Sequence, residues 1–72
     1  MEYTPKQQSL MYKSCILLTT QGHHLRQGTR GCIVDFSGLS EDVPCVEFFD
    51  KSGNTIDVTF VPLNELELID PV

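Results

Sequence analysis

The chain of 72 residues contains no tryptophan, and its aromatic residues are two tyrosines and four phenylalanines. Its core must therefore be built mainly from aliphatic side chains and phenylalanine. Basic residues are also scarce, with five against ten acidic ones and a net charge of −5. Because neutralising phosphates takes an excess of lysine and arginine, this composition disfavours nucleic-acid binding. The longest apolar run, residues 15–18, is far too short to span a membrane.

The cysteines show no metal-binding or disulfide spacing. Cys15, Cys32 and Cys45 are widely separated, odd in number and lie within apolar runs. This pattern predicts reduced cysteines that fill the core as small hydrophobic residues, most of them pointing inward. The polar residues 1–9 lack the apolar segment of a signal peptide. Both observations favour a cytoplasmic protein.

The order of apolar runs and turn residues predicts one small β domain. Strands are predicted where runs of aliphatic, aromatic and β-branched residues are separated by glycine, proline or asparagine. They are residues 14–20, 31–36, 45–49, 55–61 and 65–69. A single helical turn is predicted at residues 63–66, before the last strand. Residues 1–12 are predicted to be a polar tail and lead-in, followed by the domain at residues 13–70.

Side chains alternate along the fourth predicted strand. Ile56, Val58 and Phe60 share one face, and Asp57 and Thr59 share the other. A closed barrel would remove the exposed edges that make so small a sheet prone to aggregate. We therefore predict an all-β fold, a small five-stranded SH3-like barrel.

The adjacent phenylalanines of the third strand must point to opposite sides of the sheet. Because Val46 and Phe48 alternate around Glu47, Phe48 is expected inside and Phe49 outside. Phe49 is then either covered by the tail or a loop, or exposed as an anchor for a partner.

A longer pattern covers residues 13–69. It consists of a leucine and two glycines, two aliphatic residues, Val-Glu-Phe, a glycine turn, Thr-Ile and a leucine-rich end. It is carried by Leu25, Gly28, Gly31, Ile33, Val34, Val46, Glu47, Phe48, Gly53, Thr55, Ile56, Leu63 and Leu66. The chain thereby resembles a family of small stand-alone bacterial domains of unknown function with a KOW/SH3-like barrel pattern. The resemblance implies such a barrel, with partnership to neighbouring toxin-like proteins in some members, and no catalytic residue.

The adjacent histidines His23 and His24 are the first candidates for a chemical site. They could bind a metal with Cys32 or Asp35, but zinc sites use two spaced pairs of ligands and no second pair occurs. We interpret them as loop residues, either solvated or part of a partner interface that would depend on pH. No nucleophile elbow, phosphate-binding loop or dinucleotide fingerprint occurs. No catalytic residue, cofactor or metal is predicted.

Charge is unevenly distributed, and this suggests a function. Residues 1–30 hold four basic residues against one carboxylate, whereas residues 31–72 hold one against nine. We predict a non-catalytic interaction module, of immunity, antitoxin or accessory type, that binds a basic protein partner. Four carboxylates are predicted to steer this partner: Asp35, Glu47, Asp57 and Glu67. The predicted contact residues are His23, His24, Arg26, Asp35, Glu47, Phe49 and Asp57.

Two other functions remain open at this stage. One is a KOW-like nucleic-acid-binding domain that uses Lys13, Arg26 and Arg30. The other is a small structural subunit of a larger redox or photosynthetic assembly. The sequence also leaves open a homodimer, since a domain of this size gains stability from a partner.

Overall fold

The computed structural model describes residues 3–20, 25–36 and 40–69. Their elements are α1 (Pro5–Leu10), β1 (Ser14–Leu17), β2 (Arg30–Phe36), β3 (Pro44–Phe49), β4 (Thr55–Phe60), a 3₁₀ turn (Leu63–Glu65) and β5 (Leu66–Ile69). The strands form one antiparallel sheet in the order β4-β3-β2-β1-β5. The mostly β fold and the helical turn before the last strand are confirmed. The sheet is not closed, so β4 and β5 remain its edges and a barrel is not confirmed.

The sequence pattern did not predict the helix α1 that residues 5–10 form within the segment interpreted as a polar tail and lead-in. Its start is fixed by a reciprocal capping box. The Gln7 N–H donates to Thr4 Oγ1 at 3.1 Å, and the Thr4 N–H donates to Gln7 Oε1 at 2.9 Å. Leu10 at its end is buried in the core. So short a helix shows no helical period and is held by packing rather than propensity.

One face of the sheet, here called the inner face, carries the core. Three residues outside the strands complete this core: Leu10 of α1, Leu25 between β1 and β2, and Val61 directly after β4. Phe48 is fully buried while its neighbour Phe49 is only half-buried, so the predicted division of the two rings is confirmed. The buried core residues are Leu10, Cys15, Leu17, Leu25, Ile33, Phe36, Val46, Phe48, Val61 and Leu66. No helix among the described residues is long and apolar enough to cross a membrane.

Candidate functional site

Three exposed large apolar side chains lie together on strand β4. Ile56, Val58 and Phe60 are 38%, 52% and 52% exposed and alternate along one side of the strand. Their side is fixed by pairing, because Asp57 and Thr59 lie opposite Phe48 and Val46 of the core. The apolar side of β4 therefore faces solvent, on what we call the outer face of the sheet. We call Ile56, Val58 and Phe60 the β4 stripe.

The outer face extends from the β4 stripe onto strand β3. Phe60 and Val58 lie opposite Cys45 and Glu47, both half-buried. Phe49 follows on the same side, where an irregularity in the β3–β4 pairing occurs. The stripe is therefore continuous with a ring on the adjacent strand. It is an apolar surface on the sheet rather than a set of isolated side chains.

The open edge of β4 is occupied by one of its own side chains. The Val58 N–H donates to Asp57 Oδ1 at 2.8 Å. The Val61 N–H donates to the Pro44 carbonyl of β3 at 3.0 Å. Since alternate residues of an antiparallel strand direct their backbone groups to the same neighbour, the Val58 N–H faces the open edge and not β3. A carboxylate over an edge N–H blocks the pairing of a further strand. The geometry therefore favours contact through the outer face over strand addition at the edge.

We expect Asp57→Ala to increase self-association. Removing the carboxylate leaves the Val58 N–H open to another strand, and the exposed β4 stripe would add apolar contact. Light scattering should show the average mass rising toward about twice the monomer mass as concentration increases. Thr59→Ala, on the same side of β4, is the matched control. An Asp57→Ala protein with the same concentration dependence as the unsubstituted chain would contradict this role.

The carboxylates predicted to steer a partner do not form one surface. Asp35 and Glu47 lie on the outer face, on neighbouring strands. Glu67 also lies on the outer face, but on the far edge strand β5, opposite Ile16, and Asp57 lies on the inner side of β4. The structure thus brings together two of the four, at the Phe60 end and the middle of the β4 stripe.

Asp35 and Glu47 also accept hydrogen bonds from the chain itself. The Tyr3 hydroxyl donates to Asp35 Oδ1 at 2.6 Å, and the Thr55 hydroxyl donates to Glu47. The bond from Tyr3 lowers the pKa of Asp35, and it raises the pKa of Tyr3. Because the pKa of Asp35 is lowered, the bond stabilises the folded chain at pH values above the ordinary pKa of aspartate. This stabilisation is lost as the pH falls through the pKa of Asp35 in the folded chain. At neutral pH Asp35 is ionised, so it keeps its charge for a partner.

A groove with basic walls lies at the opposite end of the β4 stripe. It measures about 460 Å³ and is lined by Arg26, Arg30 and Lys51, with Phe49 and Ile56 as apolar surface. An adjoining groove of about 300 Å³ shares Arg30, Phe49 and Lys51. Three of the chain's five basic residues thus meet at one place.

Two turns create this groove. Gly28, with φ of +93°, lies in the turn that returns the chain to β2, so Arg26 and Arg30 line the same groove. Gly53, with φ of +86°, lies in the turn between β3 and β4 that carries Lys51. Arg26 and Phe49 were predicted as contact residues. Lys51 was missed, although it stands in the strongest turn signal of the sequence.

The cysteines differ from the prediction in their placement. Only Cys15 is fully buried, and burial raises the pKa of its thiol to about 11. Cys32 and Cys45 are half-buried on the outer face, where burial also raises the pKa of each thiol. All three are free thiols. The prediction that most of them point into the core is therefore wrong.

No group of three or more histidine, cysteine or carboxylate side chains within residues 3–20, 25–36 and 40–69 is arranged to hold a metal ion. His23 and His24 lie outside the described residues, so their predicted place in a partner interface stays a prediction. Comparison with protein-family models, with curated proteins and with solved structures finds no match to this chain. The resemblance to a KOW/SH3-like family therefore also stays a prediction.

Proposed function

We propose that this chain is a non-catalytic protein-interaction module, built on an SH3-like scaffold, that binds its partner across the outer face of the sheet. The observation that carries the proposal is the β4 stripe. Three large apolar side chains stand exposed in a row on an edge strand, and they cover none of the core. Contiguous exposed apolar surface is typical of protein–protein contact sites.

The mode of contact follows from the hydrogen bond at the edge. Because Asp57 occupies the Val58 N–H, a partner gains most by covering side chains rather than by adding a strand. Phe60 and Phe49 are the expected anchors, since aromatic side chains commonly dominate binding energy at interfaces. A partner of net positive charge is favoured, since the chain carries a net charge of −5, Glu47 borders the stripe and Asp35 lies one strand beyond it.

The most specific form of this proposal is an immunity or antitoxin role, and its support is the resemblance described above. Its test is calorimetric titration of the chain with the purified product of an adjacent gene. A complex is expected at micromolar concentration. Absence of any complex with these products would remove the immunity and antitoxin role while leaving the outer face to be tested separately.

The outer face is tested by selecting binders from a displayed peptide library against the unsubstituted chain. We expect Phe60→Ser to weaken the selected binders at least about 30-fold, the size typical of an interface hot spot. The free energy of unfolding of the Phe60→Ser protein should change by less than about 0.5 kcal/mol, because the side chain is exposed.

Leu68→Ser is the matched control for this selection. Leu68 is 39% exposed and lies on the inner face of edge strand β5, opposite Cys15. Binding should survive this substitution unchanged. Equal losses in both variants, or none in Phe60→Ser, would show that the β4 stripe is not the binding surface.

A further inference from the structure

We infer that the groove between Arg26, Arg30 and Lys51 receives an acidic segment of the protein partner, whose apolar residues continue along the β4 stripe. This inference rests on the proposed function and adds the chemistry and position of one end of the bound segment. Phe49 and Ile56 form the apolar surface of the groove. Ile56 is also the first residue of the β4 stripe, so the two surfaces meet without a gap.

The cations of the groove are available for an anion. Within the part of the chain that the structure describes, Arg26, Arg30 and Lys51 form no ion pair, and the one salt bridge there joins Lys6 to Asp42. Three cationic side chains that line one groove, without an ion pair among the described residues, favour carboxylate binding, since hydrogen bonds between ionised groups are the stronger kind.

Asp50 is the one carboxylate that lines the groove, and it is engaged by its own turn. Its Oδ1 accepts from the Ser52 and Asn54 backbone N–H groups, each at 2.9 Å, and these bonds help to lower its pKa. Its charge reduces the excess of the groove to two positive charges. The net charge of the residues that line the groove is still opposite in sign to that of the whole chain.

The size and surroundings of the groove favour a short acidic peptide over a nucleic acid. Its volume of about 460 Å³ is within the range of ligand pockets, ~300–1,000 Å³. Beyond it the outer face turns to Glu47 and then Asp35, so a longer polyanion would meet carboxylates. The residues outside the groove carry a net charge of −7, because the chain has −5 and the groove residues, Asp50 included, contribute +2. A nucleic-acid strand would also need more stacking rings than Phe49 alone.

The test compares two blocked peptides of nearly equal shape, acidic Asp-Glu-Val-Leu-Val-Ser and neutral Asn-Gln-Val-Leu-Val-Ser. Nuclear magnetic resonance titration of the full chain at low salt gives both affinities. We expect the acidic peptide to bind about tenfold more tightly and to shift the backbone amides of Arg30 and Lys51. Arg30→Gln should weaken the acidic peptide about fivefold and leave the neutral peptide unchanged.

Lys6→Gln is the charge-matched control, because it removes one cation from α1, away from the groove. It should change neither affinity. Equal affinities for the two peptides, equal effects of Arg30→Gln on both, or no binding of the acidic peptide at about millimolar concentration would overturn the inference. Tighter binding of a thymidine oligonucleotide, lost in Arg30→Gln, would overturn it in favour of a nucleic-acid site. If Phe60→Ser abolishes neutral-peptide binding while charge has no effect, the proposed function stands and this inference fails.

Discussion

Phe48→Ala is expected to remove a large part of the protein's stability. Phe48 is fully buried on the inner face, between strands β2 and β4. Removing a buried ring typically costs about 3–5 kcal/mol, from lost apolar burial and from the cavity that remains. A domain of this length is stabilised by only about 4–11 kcal/mol in total. Urea denaturation followed by circular dichroism should show the midpoint falling steeply or the folded baseline disappearing.

Phe49→Ala is the matched control, with the same change of side chain one residue along the same strand. Phe49 is half-buried on the outer face, beside the groove rather than in the core. We expect it to cost no more than about 1 kcal/mol, because little cavity can form at an open surface. Similar losses in the two variants would mean that the outer face is packed as a core, and would remove the surface proposed for binding.

The burial of Phe48 and the placement of Phe49 on the outer face were predictable, because they depend only on the alternation of side chains between the two faces of a strand. Alternation placed Phe48 and Phe49 on opposite faces, and the alternating neighbours Val46 and Phe48 identified the buried side. The same rule correctly grouped Ile56, Val58 and Phe60 on one face of β4. Alternation alone does not show whether that face points to the core or to solvent. The usual rule, that apolar side chains face the core, would have placed it on the inner face. Only the pairing with β3 shows that this side is exposed.

Two other parts of the structure were not predicted, for different reasons. Helix α1 was missed because six residues give no helical period, although the residue types of the Thr4–Gln7 capping box are present in the sequence. The groove was missed in part because Lys51 is 25 residues from Arg26, and only the folded sheet brings their turns together. The charge count pointed toward an acidic surface. It could not show that three cations meet beside one aromatic ring, because composition carries no information about position.

A second large loss of stability is expected from Gly31→Val. A Cβ atom at this position of β2 would lie 2.7 Å from Val46 Cγ1, 2.9 Å from Phe48 Cδ1 and 3.0 Å from the Glu47 carbonyl oxygen. Two of these atoms belong to fully buried side chains, and the third belongs to the backbone of β3. None can move away without disturbing the core, so the chain must shift as a whole. Overpacking of this kind typically costs about 1–3 kcal/mol.

Thermal unfolding measures this effect, since about 1 kcal/mol corresponds to a shift of ~4–8 °C for a domain of this size. Gly31→Ala adds only the Cβ atom and should already lower the midpoint, with Gly31→Val lower still. Gly28→Asn is the control, since no atom lies within 4 Å of a Cβ there. Its cost is backbone strain at a φ of +93°, which asparagine bears better than most residues, and not a clash. A clash with the core predicts the order Gly28→Asn, Gly31→Ala, Gly31→Val from mildest to most severe. An unchanged midpoint in Gly31→Ala would mean that β2 and β3 can separate freely at this position, which the burial of Val46 and Phe48 argues against.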